Sequence, residues 1–249
     1  MDLGLDGRAA LVTGGSRGIG LAVARALSAE GTRVALLGRD RAALEEAAAT
    51  IGAHTTVVVA DTTDDAAVRR AVDQAAADLG RLDVVVNCAA PRATPGQAPG
   101  LDGLDEASFL QNLDTKVLGY ARVVRAAVPH LRSAGGGAVV NVSGMNARST
   151  GYLAGSVRNI GVVALSKSLA DELGPDGISV VCVHPGLTVT ERTAGDETYA
   201  ALASGNALGR PVTADEVATV IAFLASPRAI IANGALVTLD GGRLGPIFT

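Results

Sequence analysis

Thr13-Gly14-Gly15-Ser16-Arg17-Gly18-Ile19-Gly20 follows directly on the apolar run Ala9–Thr13 and opens into a segment where Ala22, Ala26 and Leu27 share one helical face. Each glycine in this strand-to-helix turn has a physical reading. Gly14 permits a tight turn, Gly18 lets the backbone approach a pyrophosphate, and Gly20 lets the helix pack closely on the strand. Ser16, Arg17 and Ile19 complete the loop. The free N–H groups and partial positive charge of the helix start then suit phosphate oxygens. The spacing is Gly-x-x-x-Gly-x-Gly rather than Gly-x-Gly-x-x-Gly, but the same physics applies.

Outward from this turn, apolar β-rich runs recur at Val34–Leu37, Thr56–Ala60, Val84–Asn87, Ala138–Val142, Ile178–His184 and Ala235–Leu239, with helical patterns between them. The runs lack the alternation of a half-exposed sheet, so helices are expected on both faces. The expected fold is α/β, a doubly wound Rossmann fold with a seven-stranded parallel sheet, formed as a single domain over residues 1–249. Leu110, Leu113, Val117, Val124, Val128 and Leu131 predict a buried stripe on one long helix, Glu106–Leu131, and a second long helix is expected over Gly155–Leu173. Arg92–Gly103, rich in Pro and Gly, reads as a mobile loop, and Thr188–Leu208 as a mobile lid over a substrate.

Composition narrows the chemistry. The chain has 249 residues, a formal net charge of −4 and 18% charged residues, so no polybasic surface for nucleic acid is expected. Two cysteines, Cys88 and Cys182, both in apolar runs, argue for a reducing, cytoplasmic setting and against a disulfide framework or a metal cluster. Met1-Asp2-Leu3-Gly4 has no basic region ahead of an apolar one, and glycines break the longest uncharged stretch, Ser133–Ala147, so neither a signal peptide nor a membrane span is expected. Proton-handling residues are few enough to name. There are three tyrosines, and Lys116 and Lys167 are the only lysines.

At the end of the second strand the chain reads Leu37-Gly38-Arg39-Asp40. A fold holding NAD usually offers an acid to the ribose hydroxyls there. Gly38 cannot accept those hydroxyls, whereas Arg39 and Arg17 form a fork suited to a 2′-phosphate. NADP(H) is therefore favoured over NAD(H), with Asp40 the acidic group that would argue the other way.

The glycine motif, Asp61-Thr62 after the third strand, Asn87 ending the fourth, His184-Pro185-Gly186 ending the sixth and Asp240-Gly241-Gly242 after the last together resemble the short-chain dehydrogenase/reductase family, from Gly7 to about Gly242. The resemblance implies that Asp61 and Thr62 edge the adenine, that Asn87 and Ala89 hold the ribose side, and that Pro185, Gly186, Thr188 and Thr190 hold the nicotinamide carboxamide. It also implies a homotetramer or homodimer. Family members have Asn-Asn-Ala-Gly where this chain has Asn87-Cys88-Ala89-Ala90.

Redox members of the family use a Ser, a Tyr-x-x-x-Lys pair and an upstream Asn: a phenol shuttles the proton, and an adjacent ammonium lowers its pKa. Aligned on Ser168–Leu173, the Tyr position falls on Gly155 and the Lys position on Asn159. The Ser position falls on Gly144, one past Ser143, and the Asn position on Lys116. Four residues after Tyr120, Tyr152 and Tyr199 come Val124, Ser156 and Ala203, so the sequence contains no Tyr-x-x-x-Lys. A bound nicotinamide carries its own hydride, so redox chemistry on a small carbonyl or alcohol needs only a replacement acid. Lys116 is the first candidate, followed by Tyr152 and then Ser143. His184 reads as a hydrogen-bonded residue at a strand end. The competing expectations are a non-redox cyclase, isomerase or dehydratase, and a nucleotide-binding pseudoenzyme.

Overall fold

The computed structural model describes residues 1–91, 100–150 and 152–243. Seven strands form one all-parallel sheet in the order β3-β2-β1-β4-β5-β6-β9. They are β1 (Ala9–Thr13), β2 (Arg33–Gly38), β3 (Thr55–Val59), β4 (Val84–Asn87), β5 (Gly137–Val142), β6 (Ile178–Pro185) and β9 (Leu236–Leu239). Two short strands, β7 (Thr188–Val189) and β8 (Val212–Thr213), pair apart from it. The expected strands are all present; the inner five are almost wholly buried runs that a sheet covered on both faces satisfies, while the edge strands β3 and β9 are partly exposed.

The helices divide between the two faces. Val12, Val34, Val86, Val140 and Val183 pack under α1 (Gly18–Ala29), α2 (Arg41–Ile51) and α8 (Ala214–Leu224). On the opposite face Leu11, Ala35, Val85, Val139 and Val180 pack under α3 (Asp65–Leu79), α5 (Gly119–Ser133) and α6 (Leu153–Leu173). The sheet order reverses direction between β1 and β4, so a crevice opens at their carboxyl ends, where ligands of such folds bind. No helix among the described residues is long and apolar enough to cross a membrane.

One expectation needs correction. The predicted helix Glu106–Leu131 is α4 (Glu106–Asn112), a π-helical turn (Leu113–Leu118) and α5 in succession. The wider π turn rotates the preceding segment, so Leu110 points outward, 65% exposed, while Asn112 and Lys116 turn inward. Thr188–Leu208 contains β7 and the helix α7 (Glu197–Ala203), anchored where the Tyr199 hydroxyl donates to the Thr188 carbonyl at 3.2 Å. Of the expected loop Arg92–Gly103, residues 92–99 lie outside the described residues.

Candidate active site

The glycine turn is as tight as its sequence implies. Gly14 has φ +66° and Gly18 φ +56°, in the left-handed region. A Cβ on Gly20 would lie 2.3 Å from the Gly14 carbonyl oxygen. The turn borders a cleft of about 510 Å³ that also runs past Leu37–Asp40, Asp61, Thr62, Ala89, Pro185, Gly186, Thr188 and Thr190. Arg17 and Arg39 both line it, and Arg39 Nη1 stands 3.6 Å from Asp61 Oδ2. Burial opposes the charged form of Asp61. Hydrogen bonds from the Thr63 backbone and hydroxyl, with the Arg39 charge, outweigh it and hold the carboxyl below its usual range. Asp40 also borders the cleft, but its carboxylate caps α2 by accepting from Ala43 N at 3.2 Å.

Asn87 lies one layer deeper than expected. It is fully buried and absent from the cleft wall, because its side chain belongs to a row crossing the sheet. Thr13 Oγ1 donates to Asn87 Oδ1 at 3.4 Å, Asn87 Nδ2 donates to Asn141 Oδ1 at 2.9 Å, and Asn141 Nδ2 donates to Ser166 Oγ at 3.0 Å. Thr13 Oγ1 also accepts the N–H groups of Cys88 and Ala89, at 3.1 and 3.2 Å. The row therefore shapes the turn after β4 from below.

At the other end of the cleft the π turn of the α4–α5 rod presents Lys116, 4% exposed, against the end of β5 and against α6. Its Nζ donates to the Ser143 carbonyl at 2.7 Å and to Asn159 Oδ1 at 3.2 Å. Ser143 Oγ in turn donates to the Asn159 carbonyl at 2.8 Å. Lys116 thus has two neutral acceptors and no carboxylate among the described residues. Burial, with the Arg158 charge second, brings the ammonium down to about 7. Such a group exchanges a proton near neutral pH, which an ordinary lysine does not.

The three tyrosines are placed differently. Tyr120 is fully buried, donating to the Val142 carbonyl at 3.0 Å. Tyr199 lines the cleft, its hydroxyl engaged in the α7 anchor described above. Tyr152 precedes α6 and lies outside the cleft wall; its ring fills the space a side chain on Gly155 would enter, where a Cβ would meet Tyr152 Cδ1 at 2.4 Å. It also lies under the Arg158 guanidinium, 5.9 Å from guanidinium carbon to ring centroid. So the structure brings Lys116 and Ser143 together in the cleft and leaves Tyr152 beside it.

His184 differs from its expected role. It is 1% exposed, and neither ring nitrogen has a hydrogen-bond partner among the described residues. Burial, then the Arg148 and Lys116 charges, push it down to about 4, so the ring is neutral at neutral pH. Burial raises both thiols, Cys88 to about 12 and Cys182 to about 11, against thiolate chemistry. Arg158 and Asn159 are wall residues to which sequence reasoning gave no role. The available signal was that Arg158 is the sole charge between Leu153 and Ser166.

Comparison with known proteins agrees with this geometry. The family model described as enoyl-(acyl carrier protein) reductase matches residues 14–243. A probable galactose dehydrogenase of Rhizobium meliloti is 34% identical, covering 96% of this chain and 95% of its own. A D-threitol dehydrogenase of Mycolicibacterium smegmatis is 35% identical, covering 97% and 94%. The structure of L-sorbose reductase from Gluconobacter frateurii, complexed with NADPH and L-sorbose, superposes with a TM-score of 0.88 at 27% identity, covering 99% of this chain and 100% of that one. The chain belongs to the short-chain dehydrogenase/reductase family of oxidoreductases, whose fold implies a nicotinamide dinucleotide in the cleft.

The glycine cradle fits that group: it offers the Gly18 N–H at the start of α1, and here Glu191 Oε1 accepts that N–H at 2.7 Å. A carboxylate stands where a phosphate oxygen would bind, so the incoming dinucleotide must displace it. Glu191→Gln is expected to tighten dinucleotide binding about 3- to 10-fold by removing a like charge beside the phosphates. Calorimetric titration of both proteins checks this, and unchanged or weaker binding would exclude the competition.

Proposed function

We propose that this protein is an NADP(H)-dependent oxidoreductase of a small carbonyl or alcohol, in which Lys116 takes the proton-transfer role that tyrosine has in its relatives. The observation that carries this reading is Lys116 itself: a buried ammonium in the cleft wall, held by Ser143 and Asn159 and brought to about 7. When bound, NADPH supplies the hydride. The chain's part is then to hold the substrate oxygen and to exchange its proton. Protonated Lys116 donates to the oxygen that gains charge as a carbonyl is reduced; neutral Lys116 accepts the hydroxyl proton in the reverse direction. The positions of the two polar residues are exchanged relative to the family pattern: the ammonium comes from the α4–α5 rod, and the amide, Asn159, from α6. Ser143 fixes the Asn159 backbone, a positioning role. Turnover of NADPH against a panel of aldehydes and ketones, followed by nicotinamide absorbance, tests the reading; no consumption with any member would overturn it.

Preference for NADP(H) is supported by Arg17 and Arg39 beside Gly38, by the Asp40 carboxylate being engaged as a helix cap, and by the NADPH in the L-sorbose reductase structure. Arg39→Ala is expected to weaken NADPH binding about 10- to 100-fold while changing NADH binding by less than about 2-fold, the loss of a charge-assisted phosphate contact. Parallel titrations with the two cofactors decide it, and an equal loss for both would remove Arg39 from 2′-phosphate recognition. A cytoplasmic setting suits the two free thiols, and the outward Val157 and Ile160 of α6 suit a homodimer or homotetramer. Light scattering of the purified protein tests the assembly.

A further inference from the structure

Arg158 projects from α6 into the cleft wall close enough to Lys116 for its charge to bear on the ammonium. An arginine cannot shed its charge, so a half-buried guanidinium ordinarily recruits a carboxylate. Among the described residues Arg158 has none. Its supports are neutral: Nη1 donates to Asn112 Oδ1, and the Tyr152 ring lies on one face. Asn112 is itself aimed, its Nδ2 donating to the Ser108 carbonyl at 2.8 Å. The Arg158 Nε–H is buried with no hydrogen-bond partner among the described residues. The guanidinium is therefore oriented by two side chains that supply no counter-charge.

The charge of the cleft is divided in the same sense. Its acidic lining residues, Asp40 and Asp61, stand by Arg39 at the ends of β2 and β3, and the Glu191 carboxylate stands at the glycine turn. Beside Ser143 and Asn159 the charged wall residues are Lys116 and Arg158. Lys116 and Arg158 are thus largely buried cations with only neutral partners among the described residues, which costs free energy until an anion enters.

Resting on the oxidoreductase reading above, we propose that the substrate is an oxo acid, or the corresponding hydroxy acid, whose carboxylate docks on Arg158 while its reacting oxygen faces Lys116. A planar carboxylate matches the guanidinium fork in shape and charge. Docking also puts a negative charge near Lys116, which favours its protonated, donating form, so the substrate's own charge readies the proton donor.

The test is calorimetric. Protein saturated with NADP+, which cannot reduce an oxo compound, is titrated with 2-oxo, 3-oxo, 4-oxo and 5-oxo acids and with the neutral amide of each. At least one acid is expected to bind about 30-fold or more tightly than its amide, with Arg158→Gln reducing that ratio to about 1 and Arg158→Lys leaving it in between. Unchanged NADP+ binding by the two variants shows that they are folded. Equal binding of acid and amide, an acid preference that survives Arg158→Gln, or stronger binding of a phosphate ester of a hydroxyketone than of any oxo acid would each overturn the proposal. The two readings fail separately. NADPH consumption with neutral ketones and no Arg158-dependent acid binding leaves an oxidoreductase without this specificity. Arg158-dependent acid binding without NADPH consumption leaves the carboxylate site without the reductase.

Discussion

Replacing Lys116 with methionine is expected to lower the turnover number about 1000-fold while changing cofactor affinity by less than about 3-fold. The size follows from the loss of a general acid, which contributes about 100- to 10,000-fold where it acts on the reacting oxygen. Methionine keeps the volume of the stem and removes the proton. With Lys116 as the proposed acid, carbonyl reduction by the parent protein is expected to fall as pH rises through about 7 and alcohol oxidation to rise through the same point. The variant's residual rate has neither limb. Initial rates in both directions from pH 5.5 to 9 check this, and a variant retaining the parental pH profile would remove Lys116 from proton transfer.

The same substitution has a stability signature that an exposed lysine would lack. The folded-state value is about 7 against the ordinary 10.5, so between these pH values the unfolded chain binds more protons than the folded one. The stability cost of burying Lys116 is fully present below pH 7 and is relieved as pH rises toward 10.5. A shift of this size corresponds to about 5 kcal/mol, and the hydrogen bonds to Ser143 and Asn159 that methionine forfeits offset part of it. A net gain of about 1–3 kcal/mol at pH 6, shrinking toward pH 10, is the expected difference in urea unfolding.

Much of the frame was legible in the chain, and the reason is local. The strands are runs of β-branched and aliphatic residues, buried almost throughout in the five inner ones, and the glycine turn carries constraints that only glycine satisfies. The depth to which Lys116 is buried was not legible as periodicity. A regular helix puts Leu110 and Leu113 on the buried stripe, and nothing in the residue pattern announces the π turn that brings Asn112 and Lys116 inside instead. Arg158 was hidden for a different reason. Its meaning depends on the absence of a partner, and an absent carboxylate is visible only once the fold has brought α4, α6 and β5 together. Tyr152 shows the converse: adjacency to Gly155 in sequence suggested a displaced proton donor, whereas in space its ring packs on the helix and leaves the cleft wall to others.

Gly20→Ala is expected to weaken dinucleotide binding about 100-fold and to lower the melting temperature by about 5–10 °C. The added methyl would sit 2.3 Å from the Gly14 carbonyl oxygen, 2.9 Å from its carbon and 3.3 Å from Cys88 Cβ. Gly14 cannot recede, because its N–H donates to the Leu37 carbonyl at 2.8 Å and its own Cβ direction is closed by the Ala89 backbone at 3.0 Å. The start of α1 must lift instead, carrying the Gly18 and Ile19 N–H groups away from the phosphates. Overpacking of this kind costs about 1–3 kcal/mol, more than the few tenths to 1 kcal/mol that alanine returns as a better helix former. A loss of about 2–3 kcal/mol is several degrees in a chain of this length. Gly18→Ala separates the two effects. Its nearest neighbour would be Thr190 Cγ2 at 3.7 Å, so there is room, and the left-handed backbone costs about 1–2 kcal/mol. That variant is expected to lose affinity with a smaller fall in melting temperature. Parental affinity in Gly20→Ala would show that the turn is not held by the contact between Gly14 and Gly20, and that α1 meets the cofactor some other way.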